Sequence, residues 1–518
     1  MAPKDTTRDK PLAEGIGVEE GTIEYTDDGT TSVWGAMKTW PYASLWALAS
    51  TTPMTLVAYS PSWISMLFAL PAFTSRVGYA YDGVYVVPAR WQSGISAAAM
   101  IGQFIGAFLI PVFMDKYGRK LSFLGALACS AAAIFAQFFA NNLTTTLVGG
   151  LLSGITFGFY SILAITYALE VAPYQLQNFF SATYSTGFVL GPFLAAAISS
   201  GVADVQSEWS YRIGYAIQWI WPAVLFPLFL FSPESPTWLI REGRVEEAAN
   251  ALHRLAVIGH DIRPTLILIE QTDRHEREIE KSSSYTEITQ GINRRRTLIA
   301  TVVYTSVVVT GSVLATMLSY FMTIARVDAT SSFNMTMGCS GAALLGSFVG
   351  IWLVTRVGHR NMYISSLAAS TVLFLAVGGL QCAPDYYSRS EIVWAQAGVM
   401  TVFMFIWGSG ICPFATAIMS GVSSMRLRSR TIAVASAAQF ATVILVQIVQ
   451  TYLLNPDEAA LQGYIGFIQG GFNLLLTVWV YLYTPDLSRT PAELDMLFER
   501  RVSARHFASY GCSLPGPA

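Results

Sequence analysis

Twelve stretches of mostly apolar residues recur along this chain, each of about 17–25 residues, the length of helix that crosses a bilayer's hydrocarbon core. They lie near 43–66, 92–113, 121–140, 146–168, 178–199, 212–231, 297–318, 333–354, 362–381, 392–419, 432–452 and 463–484. Few folds survive that pattern. Only 12% of the residues are charged and 53% are hydrophobic, whereas a soluble domain carries about 25% charged residues. A soluble chain of 518 residues has no place to hide so much apolar surface, so an all-α, polytopic membrane protein is predicted.

An even number of spans puts both termini on one side. Of the 31 lysines and arginines, 26 then fall on the side of the tails, and 5 (Arg76, Arg90, Arg212, Arg326, Arg389) on the other. Positive charge stays inside, so both tails are expected in the cytoplasm. Before Pro41 the text is polar and acidic ("VEEGTIEYTDDGTT") with no short apolar run, so no cleaved signal peptide is expected. Residues 1–40 read as a disordered cytoplasmic tail. The five cysteines (Cys129, Cys339, Cys382, Cys412, Cys512) lack metal-ligand spacing, and neither metal nor cofactor is expected. "NLT" at Asn142 matches a glycosylation sequon in an outer loop of only a few residues, and is read as chance.

The spans divide as six, a polar segment, and six. This gives a six-helix bundle at 41–232, a cytoplasmic linker with short amphipathic helices at 233–296, a second bundle at 297–484 and a cytoplasmic tail at 485–518. The halves echo each other. "MDKYGRK" after the second span matches "VTRVGHR" after the eighth, with Gly118 and Gly358 240 residues apart. "EVAPYQLQN" matches "GVSSMRLRS" 251 residues on, and "SPESP" matches "TPDLS" 252 on. Three echoes in near register, all on one face, point to a duplicated unit, the parallel-repeat plan of transporters with a site between the halves.

At "DKYGRK", "PESPTWL", "RVGHR" and "PDLSRTPAELDMLF" the chain resembles a sugar porter of the major facilitator superfamily. A narrower resemblance, to the fungal α-glucoside (maltose) permeases, runs through "FALPAF", "VPARWQSG", "AIQWIWP", "LRSRT" and "LDMLFERRVSARHF". Membership implies the major facilitator fold, alternating access, and a sugar carried with a proton. The departures bear on that last point. Where the permeases resemble glutamate–glycine–tyrosine–aspartate in the first span, this chain reads Val57–Ala58–Tyr59–Ser60. The family's fifth- and seventh-span glutamines fall at Pro192 and Val307, and its tenth-span glycine and tyrosine at Cys412 and Thr416.

Proton coupling needs a titratable group within the membrane. The twelve stretches hold no Asp, Glu, Lys or His, and all five histidines lie in segments assigned to the cytoplasm. A carrier not coupled to protons in the family's usual way is therefore expected. In the family, Glu and Arg stand seven apart after the fourth and tenth spans; here the pairs read Glu170…Gln177 and Gly421…Arg428. One cross pair is lost as a unit, so Glu170 and Arg428 are expected to meet across the cytoplasmic seam. Asp115, Gly118, Arg119, Glu234, Arg356 and Arg360 complete the expected gating network, with Asp115 and Arg119 capping helix ends and Glu234 capping the helix after Pro236. Tyr59, Ser60, Tyr184, Gln218, Trp219, Thr310, Ser312, Asn334, Thr416, Gln439 and Asn473 are candidates for the substrate path, each with a packing role as its alternative.

The expected partners are a small-molecule solute and the lipid bilayer, with no nucleic acid; the chain is expected to work as a monomer in the plasma membrane. A sugar is the first substrate expected. The alternatives are a less polar metabolite, carried in or out, and a nutrient sensor that does not transport. No Walker loop, histidine box or intramembrane acid pair suggests an enzyme.

Overall fold

A computed structural model describes residues 33–485, except 82–83, 258, 283–284, 289, 355, 384–389 and 424–426, together with 497, 498 and 500. Eleven helices among these are long and apolar enough to cross a membrane, and a bent pair at the start, Pro41–Leu67 with Pro71–Val77 turned by 63°, supplies a twelfth span. The first bundle comprises Pro41–Leu67, Ala89–Tyr117, Arg119–Phe138, Leu143–Val171, Tyr174–Val202 and Trp209–Leu230. The second comprises Gly291–Thr316, Ala329–Val354, His359–Gln381, Ser390–Val422, Arg428–Leu454 and Gln462–Tyr483. Two six-helix bundles result, the architecture that the resemblance implies.

The two faces are distinct. One carries a small antiparallel hairpin, Tyr79–Tyr81 with Val84–Val86, in which Tyr79 pairs with Val86. The other carries the linker helices Pro236–Arg241, Val245–Leu255 and Arg263–Ser282. They are called the hairpin face and the linker face below. Asn142, of the sequon, is a helix cap: its side chain accepts from Thr145 N at 2.8 Å, and the Thr145 hydroxyl answers in a capping box. That satisfies N–H groups otherwise orphaned at a helix start.

Glycines expose the duplication more directly than the loop motifs do. In the second and fourth spans, Gly102, Gly106, Gly154 and Gly158 let the backbones touch; a Cβ at Gly106 would sit 2.0 Å from Ile155 O, and one at Gly154 2.1 Å from Ala99 O. The eighth and tenth spans repeat the arrangement, where Cβ atoms at Gly346 and Gly408 would meet Phe405 O at 2.4 Å and Ala343 O at 2.5 Å. Small residues allow close crossings in a membrane, where burial of apolar surface gives no drive.

An aromatic column fills the first bundle. Tyr59 stacks on Trp63, Trp63 meets Tyr215 edge-on, and the Tyr59 hydroxyl donates to Gly214 O at 2.9 Å. A Cβ at Gly214 would lie 1.9 Å from the Trp63 ring. Gly214→Ala is therefore expected to push Trp63 off its seat and lower stability by about 1–3 kcal/mol, the usual cost of overpacking. Thermal unfolding in detergent measures it; an unchanged midpoint would show that the column yields freely.

Candidate functional site

At the linker face the first bundle carries a linked set of charges. Gly118, at φ +83°, turns the chain sharply between the second and third spans, and Arg119 follows at 4% exposure. Its guanidinium holds Glu170 through two carboxylate contacts, Nη2 at 2.8 Å and Nε at 2.9 Å, and donates to Met114 O at 3.2 Å. Asp115 stands off at 3.9 Å, largely exposed. Glu170 thus has its arginine in its own half. Arg428 is the partner expected from the sequence; its side chain lies outside the described residues.

Glu234 caps a different helix from the one expected. Its carboxylate accepts from Arg119 N at 2.9 Å and Lys120 N at 3.1 Å, at the start of the third span. The helix after Pro236 is capped by Ser235, whose hydroxyl accepts from Trp238 N at 3.2 Å. Burial pushes the Glu234 carboxyl up, and the N–H groups of Ser235, Lys120 and Arg119 pull it back. The anion goes to the end of a full membrane span, and the hydroxyl suffices for the six-residue helix Pro236–Arg241. In the second bundle Arg360 donates to Thr484 O and Tyr481 O, both at 2.9 Å, and Arg356 lies 5.4 Å from the Trp352 ring.

The hairpin face is sealed. Among the described residues, the side-chain hydrogen bonds that join the two bundles all lie there. Gln92 donates to Tyr320 OH at 2.9 Å and to Val87 O at 2.7 Å; Asn455 reaches the same carbonyl at 3.2 Å. Ser200 donates to Asn334 Oδ1 at 2.6 Å and Thr330 to Asp204 at 3.1 Å. Tyr79 donates to Asp457 at 2.6 Å, a bond that pushes the phenol up to about 12.

Beneath the seal, uncharged polar groups of both bundles meet. From the first bundle, Gln103 donates to Ser161 Oγ at 3.1 Å and Tyr184 OH to Ser161 O at 2.8 Å. From the second, Gln439 donates to Tyr304 O at 3.2 Å, and Tyr304 lies close enough to Tyr184 for the hydroxyls to interact electrostatically. Phe104 meets Phe440 across the seam with ring centres 6.5 Å apart, and Phe193 lies against Gly341. Cys412 lies near Tyr304, and Ser306 bonds Tyr363 behind them.

The sequence named Tyr184 and Gln439 of this group and missed Gln103, Ser161 and Tyr304. The remaining candidates lie elsewhere. Tyr59, Ser60 and Gln218 are fully buried inside the first bundle, line no open path, and leave Ser60 Oγ and Gln218 Oε1 without a protein partner. Trp219 donates to Ala131 O at 3.1 Å and borders an apolar groove of about 340 Å³ with Pro222 and Phe226. Asn334 belongs to the seal. Thr310, Ser312 and Asn473 sit at a break in the seventh span, and exposed Thr416 bonds carbonyls of its own turn, Cys412 O and Pro413 O.

Two matched bundles, a seal on one face and an uncharged polar centre define a membrane transporter. The chain matches the family described as "Sugar (and other) transporter" over residues 45–495 and belongs to it. Among curated relatives, maltose permease MAL31 of Saccharomyces cerevisiae is 29% identical, the match covering 98% of this chain and 84% of the permease. A general alpha-glucoside permease of the same organism is 28% identical with the same coverage. The xylose transporter XylE from E. coli, in a partially occluded inward open conformation, superposes with a TM-score of 0.67 at 17% identity, covering 87% of this chain and 99% of that one. The inward open form of the same transporter gives 0.66.

Proposed function

We propose that this protein carries a small neutral solute across the plasma membrane without coupling it to protons. The linker face is cytoplasmic in this reading, both tails lie inside, and the sealed hairpin face makes the described state inward-facing. One observation carries the proposal: the groups converging at the seam (Gln103, Ser161, Tyr184, Tyr304 and Gln439) offer hydrogen bonds and no charge. The relatives named for maltose, α-glucosides and xylose make a sugar the first substrate to try. A less polar metabolite is the second, because Tyr184, Gln439 and Trp407 already spend hydrogen bonds on backbone carbonyls. That leaves a polyhydroxylated solute few free partners. The Arg119–Glu170 pair, with Asp115, Glu234, Arg356, Arg360 and Arg428, would brace the linker face in the alternate state.

Counterflow in proteoliposomes against a panel of sugars and neutral metabolites tests this reading, since exchange requires no driving ion. Gln439→Leu is expected to lower counterflow of the accepted solute by about tenfold, the worth of roughly one hydrogen bond. No counterflow with any member of the panel, from protein that binds one of them, would favour a sensor.

A further inference from the structure

We infer that the linker end of the third and sixth spans is a binding site for one anionic phospholipid. Lys120 and Arg254 hold its phosphate, and an acyl chain lies in the groove between the two spans. The inference takes the linker face as cytoplasmic, the side whose leaflet carries anionic lipid.

The sixth span finishes in the helix Ile220–Leu230, with Phe231 as its cap. Two cations meet its last carbonyls. Lys120 Nζ donates to Leu230 O at 2.8 Å, and Arg254 Nη2, from the linker helix Val245–Leu255, donates to Phe231 O at 2.7 Å. One cation at a helix C-terminus is favoured; two on adjacent carbonyls repel, and these stand close enough to act on each other. The acid that faces Lys120 is Glu234, whose carboxylate already accepts from the N–H groups of Arg119, Lys120 and Ser235. Each carbonyl takes one N–H, whereas an ammonium carries three and a guanidinium five. A phosphate can therefore bridge the pair without either cation leaving the helix end.

The surroundings suit a lipid phosphate. Leu121, Leu230 and Phe231, next to the cations or their carbonyls in the chain, are exposed and apolar, Phe231 at 72%. Deeper in the membrane lies the apolar groove of about 340 Å³, hollowed by Ala128, Ala131 and Ala223 between Trp219 on the hairpin side and Phe226 on the linker side. Phe226 precedes Leu230 by one helical turn, about 6 Å at helical rise. The headgroup zone of a leaflet is about 5–8 Å deep, so the groove begins where the first acyl carbons of a lipid seated on Lys120 and Arg254 fall. Net charge decides the headgroup: phosphatidylcholine would bring its own cation against the pair, and phosphatidylglycerol brings none.

Native mass spectrometry of the full chain, released from micelles containing palmitoyl-oleoyl phosphatidylglycerol or phosphatidylcholine, tests this by counting retained lipids. One phosphatidylglycerol is expected to be held at least about tenfold more tightly than phosphatidylcholine. Lys120→Gln with Arg254→Gln is expected to bring the two lipids level. Arg274→Gln, which removes an exposed linker arginine paired with Glu270, should leave the preference intact. Should the double variant fail to fold, Ala128→Phe with Ala223→Phe fills the groove, keeps both cations and is expected to loosen phosphatidylglycerol severalfold. Equal retention of the two lipids by the unchanged chain overturns the proposal, as does a preference that survives loss of both cations or filling of the groove. Glycerol phosphate, the headgroup without its chains, is expected not to displace the lipid; displacement would overturn the lipid in favour of a soluble phosphate. Binding is read without flux or sidedness, so a failure of the carrier reading leaves this site independently tested.

Discussion

Reconstituted into vesicles with an inside-negative potential and an alkaline interior, the protein is expected to bring its solute to equal concentration on both sides and stop there. A one-proton symporter would gain about 2.3 kcal/mol from each 100 mV, which at roughly 1.4 kcal/mol per tenfold is close to fifty-fold accumulation. The difference is large enough for a simple filter assay. Its physical basis is the charge inventory: among the described residues, the buried charged side chains are Arg119, Asp273 and Arg296, all at the linker face. The first span offers Val57 and Ser60 where the resemblance would place acids, and both are buried in the bundle. A protonophore should likewise leave the initial rate untouched. Accumulation that follows the pH gradient would end the uncoupled reading.

The second large effect is expected at Arg119. Deleting one partner of a buried ion pair strands the other charge, at a typical cost of about 3–5 kcal/mol, whereas removing both is far milder. Arg119→Ala leaves Glu170 facing the third-span start without its forked donor, and should lower the unfolding midpoint sharply. Arg119→Lys should recover little, because a point charge cannot repeat the two-pronged contact. Asp115→Ala, at an exposed and distant contact, should cost under about 1 kcal/mol. A double-mutant cycle between Arg119 and Glu170 isolates the pairing energy. If Arg119→Ala proves as mild as Asp115→Ala, the linker-face network is decoration.

The spans and the duplication were legible in the sequence because bilayer thickness writes itself into apolar run length and duplication into loop motifs. The site was less so. Tyr184, Gln103 and Gln439 find their partners in Ser161 and in backbone carbonyls, and a carbonyl leaves no letter in the text. Glu234 was assigned to its neighbour at Pro236, whereas its targets are the N–H groups of Arg119 and Lys120, more than a hundred residues earlier. Asn334 looked like path lining until the eighth span's start was placed against Ser200. "VTGSV" held a readable signal: a glycine in a membrane run, followed by a serine that bonds backward to Val307 O at 3.2 Å.

Glu234 bears also on how the protein is made. It is contributed just after the sixth span, yet it closes the start of the third, and Tyr167 of the fourth donates to Pro233 O at 2.8 Å. Arg119 and Glu170 are complete by then as well. Domains close in order as the ribosome delivers them. Here the Arg119–Glu170, Glu234 and Tyr167–Pro233 contacts have both their partners once the chain has passed residue 234, before any of the second bundle has entered the membrane. The second half then assembles beside a linker-face corner whose bonds have already closed.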